Sequence, residues 1–279
     1  MKKILFLMTL PLFVACQTLD NRADEETAAP SLELVGSQYQ YVGTMQKPNA
    51  KSGKSFAAMN KSVAALQWDT VKTLALQHLN NYPGNSDAFL FLAIAHAGLN
   101  ENSRSRFFAE LVLKSEPSNA YALNLLGVLK RNEAVLPEDY RRALVYFQLA
   151  RQSAPQSPTA ILNAASLNLE IGNFSEAKTD FKLAAEKCES CVPALVGSAL
   201  AAQSLGLFDE ARGLIAEVLK VDENNETAKL LQVGQLYYID REHEKGQALL
   251  AQLLQGDRAD SEVLKEARSM MNRIEATAH

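Results

Sequence analysis

Two stretches line up at their distinctive positions: Glu170 to Ala184 (EIGNFSEAKTDFKLA) and Ser204 to Val218 (SLGLFDEARGLIAEV). Gly172 and Gly206 are 34 residues apart, as are Phe174 and Phe208, Glu176 and Glu210, and Ala177 and Ala211. A fixed period of this length marks a stack of short supersecondary units, each burying its apolar face against its neighbours. Extended in both directions, the period gives six repeats, starting at Ser52, Ser86, Ala120, Pro158, Val192 and Thr227. The step from Ala120 to Pro158 is 38 residues, so the third repeat carries four extra residues, and the last step is 35.

Small residues recur at two places in this frame. Position 8 reads Met59, Ala93, Gly127, Ala165, Ala199 and Gly234, and position 20 reads Val71, Ser105, Ala143, Ala177, Ala211 and Gly246. Pro83, Pro117 and Pro155 fall at position 32, where a helix has to stop. The pattern resembles the tetratricopeptide repeat (TPR), with its period of 34, small residues at positions 8, 20 and 27, glycine at 15 and proline near 32. That resemblance implies an all-α fold, a right-handed superhelical solenoid of six helix-turn-helix repeats over residues 52–257. Small side chains at 8 and 20 let the two helices of a repeat cross at roughly 8–9 Å. Ser86, Asn119 and Ser157 read as N-caps, and Pro158 suits a first helical position. The first repeat lacks the small residues and the glycine, so its second helix is better specified than its first.

The four extra residues fall in KRNEAVLPEDYRRAL, where Pro137 followed by Glu138 and Asp139 looks like an early helix start, with acids at the positive end of the dipole. Four residues are about one helical turn, so the insertion need not rotate the buried face. Residues 258–279 read as a capping helix and tail, with Val263, Leu264, Ala267, Met270, Met271 and Ile274 along one face.

The chain begins with a short positive head, Lys2 and Lys3, and an apolar run from Ile4 to Val14. The run is too short to span a bilayer, which takes roughly 20 apolar residues, and it fits a secretory signal. Ala15 and Cys16 resemble the end of a bacterial lipoprotein signal, with Phe13 at the place where leucine is usual. The resemblance implies a signal peptide over residues 1–15 and lipidation of Cys16, whose acyl chains would hold the protein on a membrane. Gln17, in a place where aspartate marks inner-membrane retention, favours the outer membrane. Residues 16–51 are rich in acids, prolines and glycines and poor in aliphatics, a composition that suits a flexible tether. One piece of it, LELVGSQYQYVG (residues 32–43), could order against a partner or against the domain.

Without Lys2 and Lys3 the chain holds 26 basic residues against 32 acidic ones, a poor match to nucleic acid. No H-E-x-x-H, no G-x-S-x-G, no phosphate-binding glycine loop and no zinc-type cysteine spacing occurs. No catalytic residue, metal site, cofactor or small-molecule substrate is therefore expected. His78 and His96 fall on helix positions 27 and 11, where packing is their expected role. Cys188 and Cys191 form a C-x-x-C with no β-α-β pattern around it. In an oxidising compartment the pair reads as a small disulfide closing a turn, with free thiols as the alternative and redox catalysis as a remote one.

The resemblance also implies a binding face. In TPR proteins the first helix of each repeat lines a concave groove through positions 2, 5, 9 and 12. In repeats two to six these are Asp87, Leu90, Ile94 and Ala97; Tyr121, Asn124, Val128 and Arg131; Thr159, Leu162, Ser166 and Leu169; Pro193, Val196, Leu200 and Gln203; and Ala228, Leu231, Gln235 and Tyr238. No repeat has the Lys and Asn pair of carboxylate-clamp TPRs, so that partner class is disfavoured. The apolar band suits a helix or an extended segment with apolar anchors. Signal, tether and repeats together resemble the TadD-like TPR lipoproteins of the tight-adherence (Tad, or Flp) pilus system. That resemblance implies a pilotin-like scaffold whose partner is an envelope protein, the pilus secretin or another pilus component. TPR lipoproteins serving type IV pili, outer-membrane protein insertion or peptidoglycan hydrolases are the alternatives.

Overall fold

The computed structural model describes residues 31–35, 38–42, 53–188, 191–255 and 262–277. The expected signal, Cys16, much of the 16–51 segment and the residues joining the last two helices lie outside these. Two strands, β1 (Ser31–Val35) and β2 (Gln38–Val42), pair in a two-stranded sheet. They fall within the segment read as a tether. Among the described residues the remaining elements are thirteen α-helices and one π-helical segment, and twelve of the α-helices make the six expected pairs. The pairs are α1 (Gly53–Ala64) with α2 (Trp68–Asn81), α3 (Ser86–Gly98) with α4 (Asn102–Ser115), and α5 (Ala120–Asn132) with α6 (Pro137–Ser153). They continue with α7 (Pro158–Glu170) and α8 (Phe174–Lys187), α9 (Val192–Ser204) and α10 (Phe208–Val221), and α11 (Glu226–Gly234) and α12 (His243–Leu254). The last helix, α13 (Glu262–Thr277), follows. The chain forms two compact units that divide within α7, between Ala164 and Ala165.

In repeats one, two, four and five the turn inside the pair closes in one way. The N–H of the third residue past the helix end reaches the carbonyl five residues back, as in Glu101 to His96, Asn173 to Asn168 and Leu207 to Ala202, at 2.8–2.9 Å. This cap needs one residue in the left-handed region. Gly172 and Gly206 supply it at no steric cost, with φ of 86° and 76°. Leu66, Asn100 and Arg241 hold the same place in repeats one, two and six with φ of 55°, 59° and 61°. Asparagine tolerates this conformation, whereas a leucine is strained in it.

In the N-terminal unit the close crossings are direct. Ser105 Oγ donates to the Ala93 carbonyl at 2.7 Å, joining positions 20 and 8 of repeat two. A Cβ added to Gly127 would lie 2.5 Å from the Phe147 ring, and one added to Gly98 would lie 2.4 Å from the Trp68 indole. Those glycines are there because an aromatic ring occupies the space of their side chain. Repeat one forms both helices, with Met59 wholly buried at position 8 in place of a small residue. The four extra residues of repeat three divide two ways. The linker before α6 has one more residue than its counterparts, and α6 has 17 residues where α4 and α8 have 14. Asp139 caps the early start, its carboxylate accepting from the backbone N–H of Leu136 and Val135 at 3.2 and 3.4 Å.

In the C-terminal unit Gly197 of α9 admits the Phe181 ring of α8, at 2.3 Å from a notional Cβ. The start of repeat six differs from the expectation. Its first helix begins at Glu226 rather than Thr227, with the Asn225 side chain accepting from Ala228 N at 2.9 Å. The extra residue sits inside that helix, whose last turn, Gln235–Ile239, is a π turn. A single-residue insertion is absorbed by such a turn without ending the helix. In repeat two the N-cap is Asn85, whose side chain accepts from Ala88 N at 2.8 Å; Ser86 is the first helical residue. Helix α13 closes the unit, packing Val263, Leu264, Ala267, Met270 and Ile274 against Leu230, Val233, Leu250 and Leu253.

Replacing Leu66 with glycine should relieve about 1–2 kcal/mol of left-handed strain, less roughly 0.4–1 kcal/mol for the added freedom of the unfolded chain. The expected outcome is a rise of a few degrees in the thermal midpoint. Gly172→Ala should lower the midpoint by a similar amount, because nothing but its positive φ opposes a Cβ there. Calorimetry of the two variants checks both signs.

Candidate protein-binding face

The first helices of successive repeats carry the residues expected to line a groove, and the structure sorts them by exposure. On α3 and α5 of the N-terminal unit, Leu90, Ile94 and Val128 are buried. Leu162, near the end of that unit, is buried too. Asn124 is also buried, and its Oδ1 accepts from Asn163 Nδ2 of α7 at 3.0 Å. Tyr121 and Arg131 are half-buried and bracket this apolar floor on α5.

The C-terminal unit repeats the arrangement. Val196, Leu200, Leu231, Ser166 and Gln235 are buried, while Gln203 and Tyr238 are half-buried. Gln203 Nε2 donates to the Leu231 carbonyl at 3.3 Å, and Gln235 Nε2 donates to the Phe208 carbonyl at 3.0 Å. The two amides thus tie successive repeats together. Tyr238 packs on the cluster under α13 and hydrogen-bonds Arg273, which pairs with Glu266 at 2.8 Å. Most apolar members of the expected lining are therefore floor, whereas Ala97 and Leu169 are half-buried and Asp87 is exposed. The larger polar side chains of that lining that keep part of their surface are Tyr121, Arg131, Gln203 and Tyr238, and Tyr and Arg are residue types enriched where interfaces concentrate their energy.

Three ion pairs recur at one place. Arg106 reaches Glu133, Lys178 reaches Glu210 at 2.8 Å, and Arg212 reaches Asp240 at 2.8 Å. Each cation stands at position 21 of its repeat, on the second helix, and each acid belongs to the next repeat. The signal was present in the sequence, as a base repeated at one register. Such exposed pairs are worth about 0–1 kcal/mol each and set register more than stability. On the second helices Phe107 and Val145 are exposed, and the inserted Val135 and Leu136 keep 83% and 62% of their surface in contact with solvent.

The titratable groups do not converge on a reactive centre. His78 is 4% exposed, stacked on Tyr82 and packed against Phe56, with Nδ1 3.2 Å from Ser55 Oγ and a buried Nε2 without a partner. Burial holds its pKa below the usual value, against the pull of Asp87. Asp87 is exposed at its surface, yet partial desolvation by the surrounding protein, together with Glu116, pushes its carboxyl above the ordinary range. His96 is buried, stacked on Phe108, and meets Glu101 at 2.5 Å. Burial raises the Tyr121 phenol. Among the described residues no group of three or more metal-ligating side chains occurs, and no helix is long and apolar enough to cross a membrane. Cys188 and Cys191 are joined in a disulfide across the turn between α8 and α9, with Cα atoms 5.5 Å apart.

These helix pairs define the class: the fold is that of tetratricopeptide-repeat proteins. No family model matches the chain, and no curated protein matches it. Solved structures do. The type IV pilus biogenesis factor PilW superposes with a TM-score of 0.64 at 19% identity, covering 78% of this chain and 99% of PilW. PilF of Pseudomonas aeruginosa gives 0.64 at 17% identity, covering 80% of this chain and all of PilF. YrrB, a TPR protein with an unusual peptide-binding site, gives 0.54 at 18% identity over 70% of this chain and 97% of its own. At these identities the likeness speaks for the fold.

Two outcomes follow. The folded protein holds the His78 proton less tightly than the unfolded chain, so stability should fall as pH drops below about 6.5. His78→Leu should reduce that fall, seen as a smaller loss in urea midpoint between about pH 7.5 and about pH 5.5. Replacing Cys188 and Cys191 by serine should cost about 1–2 kcal/mol, as expected for so short a loop, and leave partner binding unchanged. Lost binding at unchanged stability would assign the pair a role beyond closing the turn.

Proposed function

We propose that this chain is a non-catalytic adaptor that binds another protein through the first-helix face of its repeats, held on the bacterial outer membrane by lipid at Cys16 with its repeats in the periplasm. The observation that carries the reading is the face itself. In each unit an apolar floor has half-buried polar groups beside it, Tyr121 and Arg131 in the N-terminal unit and Gln203 and Tyr238 in the C-terminal one. Such a surface recognises a segment of another chain by shape and a few polar contacts.

The partner proposed is a secretin or another component of a Tad/Flp pilus, with the chain acting as a pilotin. The signal, Cys16, the acidic tether and six repeats support that reading together. A type IV pilus component is the second reading, favoured by the similarity in fold to PilW and PilF. Machinery for outer-membrane protein insertion and peptidoglycan hydrolases are further partners of the same kind.

Photo-crosslinking in living cells tests the proposal, with the reactive residue at Tyr121, Arg131, Gln203 or Tyr238. Capture of a secretin or pilus component from several of these positions is the expected result. Hydrolases or insertion machinery would keep the adaptor and change its pathway. Capture only from Phe107, Val135 or Val145 would move the interface to the second helices and overturn the choice of face. Cys16→Ser should abolish lipid labelling and release the protein from the membrane fraction.

A further inference from the structure

Strand β2 lies alongside α3 and α5. These are the first helices of repeats two and three, and they carry Leu90, Ile94, Tyr121, Asn124 and Val128. Two of the helices that carry the adaptor reading's face therefore have a segment of the same chain beside them, within the same compact unit. Ten residues separate β2 from α1, enough at roughly 3.3 Å each to span about 30 Å. The path from the first repeat to this face is thus covalently feasible. The segment is also the right kind of occupant. Its sequence, Gln38-Tyr39-Gln40-Tyr41-Val42, is extended and alternates amide with phenol. Extended segments bind with main-chain groups and alternate side chains. β1 satisfies one edge of β2. That leaves the other backbone edge in need of polar partners.

We propose that β2 is an internal ligand of the α3 and α5 face, and that a partner segment must displace it to bind there. The inference rests on the adaptor reading and adds two things to it. The face accepts an extended segment rather than a helix, and its availability is controlled by the tether. A segment tethered this way is present at an effective concentration on the order of millimolar. If it binds at about 0.1 mM, it weakens a competitor by about tenfold.

Two measurements on the full chain test the proposal. In the first, residues 31–42 are replaced by a Gly/Ser stretch of equal length, and a labelled synthetic peptide of residues 31–43 is titrated by fluorescence anisotropy. The peptide should bind the replaced chain and bind the native chain at least about tenfold more weakly. In the second, Tyr121→Cys is introduced in a Cys16→Ser background, leaving position 121 as the free thiol beside the bonded Cys188 and Cys191. Maleimide should label it several-fold more slowly in the native chain than in the replaced one. Equal peptide affinities, no peptide binding to either chain, or equal labelling rates would overturn the proposal. Neither measurement needs a partner, so failure here leaves the adaptor reading to crosslinking. An empty crosslink would in turn leave this competition to be judged on its own readouts.

Discussion

The structure depends on the close crossing of two helices within each repeat. In repeats two to six small residues hold that crossing at positions 8 and 20, whereas repeat one buries Met59 and Val71 there. Ser105 meets the Ala93 carbonyl, and Gly127 gives its side-chain space to Phe147. A pair this tight buries one face of each helix and leaves the others needing cover, so the next repeat must supply it. Phe181 of α8, filling the space over Gly197 of α9, shows the same economy between repeats. Large rings fit because glycine stands opposite them, and each pairing fixes the next helix in register.

Because the crossing repeats, most of the fold was legible in the sequence. The six first helices begin within one residue of the repeat starts, and the lengthened α6 begins at Pro137. What was not legible follows from physics that periodicity does not carry. The spacing counted one extra residue before repeat six, but a π turn can hide an insertion inside a helix, and it did so at Gln235–Ile239. The residue closing each turn is set by backbone conformation rather than identity, so Leu66, Asn100 and Arg241 took a place expected to read as glycine. The caps at Asn85 and Asn225 were missed one residue upstream of a serine and a glutamate, where the helix frame was set by the repeat count instead of by the capping side chain.

The binding face was legible in position but not in exposure. Helix geometry places Leu90, Val128 and Leu200 on the side turned away from the second helices, yet their burial depends on what packs over that side. Tyr238 shows the same limit, since its surroundings include Arg273 from a helix about 35 residues further along the chain. The two strands within the tether are a further case. Their composition favours disorder when judged alone, and only the helices beside β2 give the segment a surface to lie on.

The buried amides explain why such a face can be specific while its floor is apolar. An apolar floor alone would tolerate sliding between successive helices, because apolar contact has little directionality. Asn124 with Asn163, Gln203 with the Leu231 carbonyl and Gln235 with the Phe208 carbonyl each lose a hydrogen bond if their helices shift. An unmade bond at a buried polar group costs about 1–3 kcal/mol, more than the gain from a small repacking. The amides therefore hold neighbouring helices in one register. Within each unit, the few half-buried groups on that register are then presented at fixed spacings, so a partner is selected by where its own anchors fall.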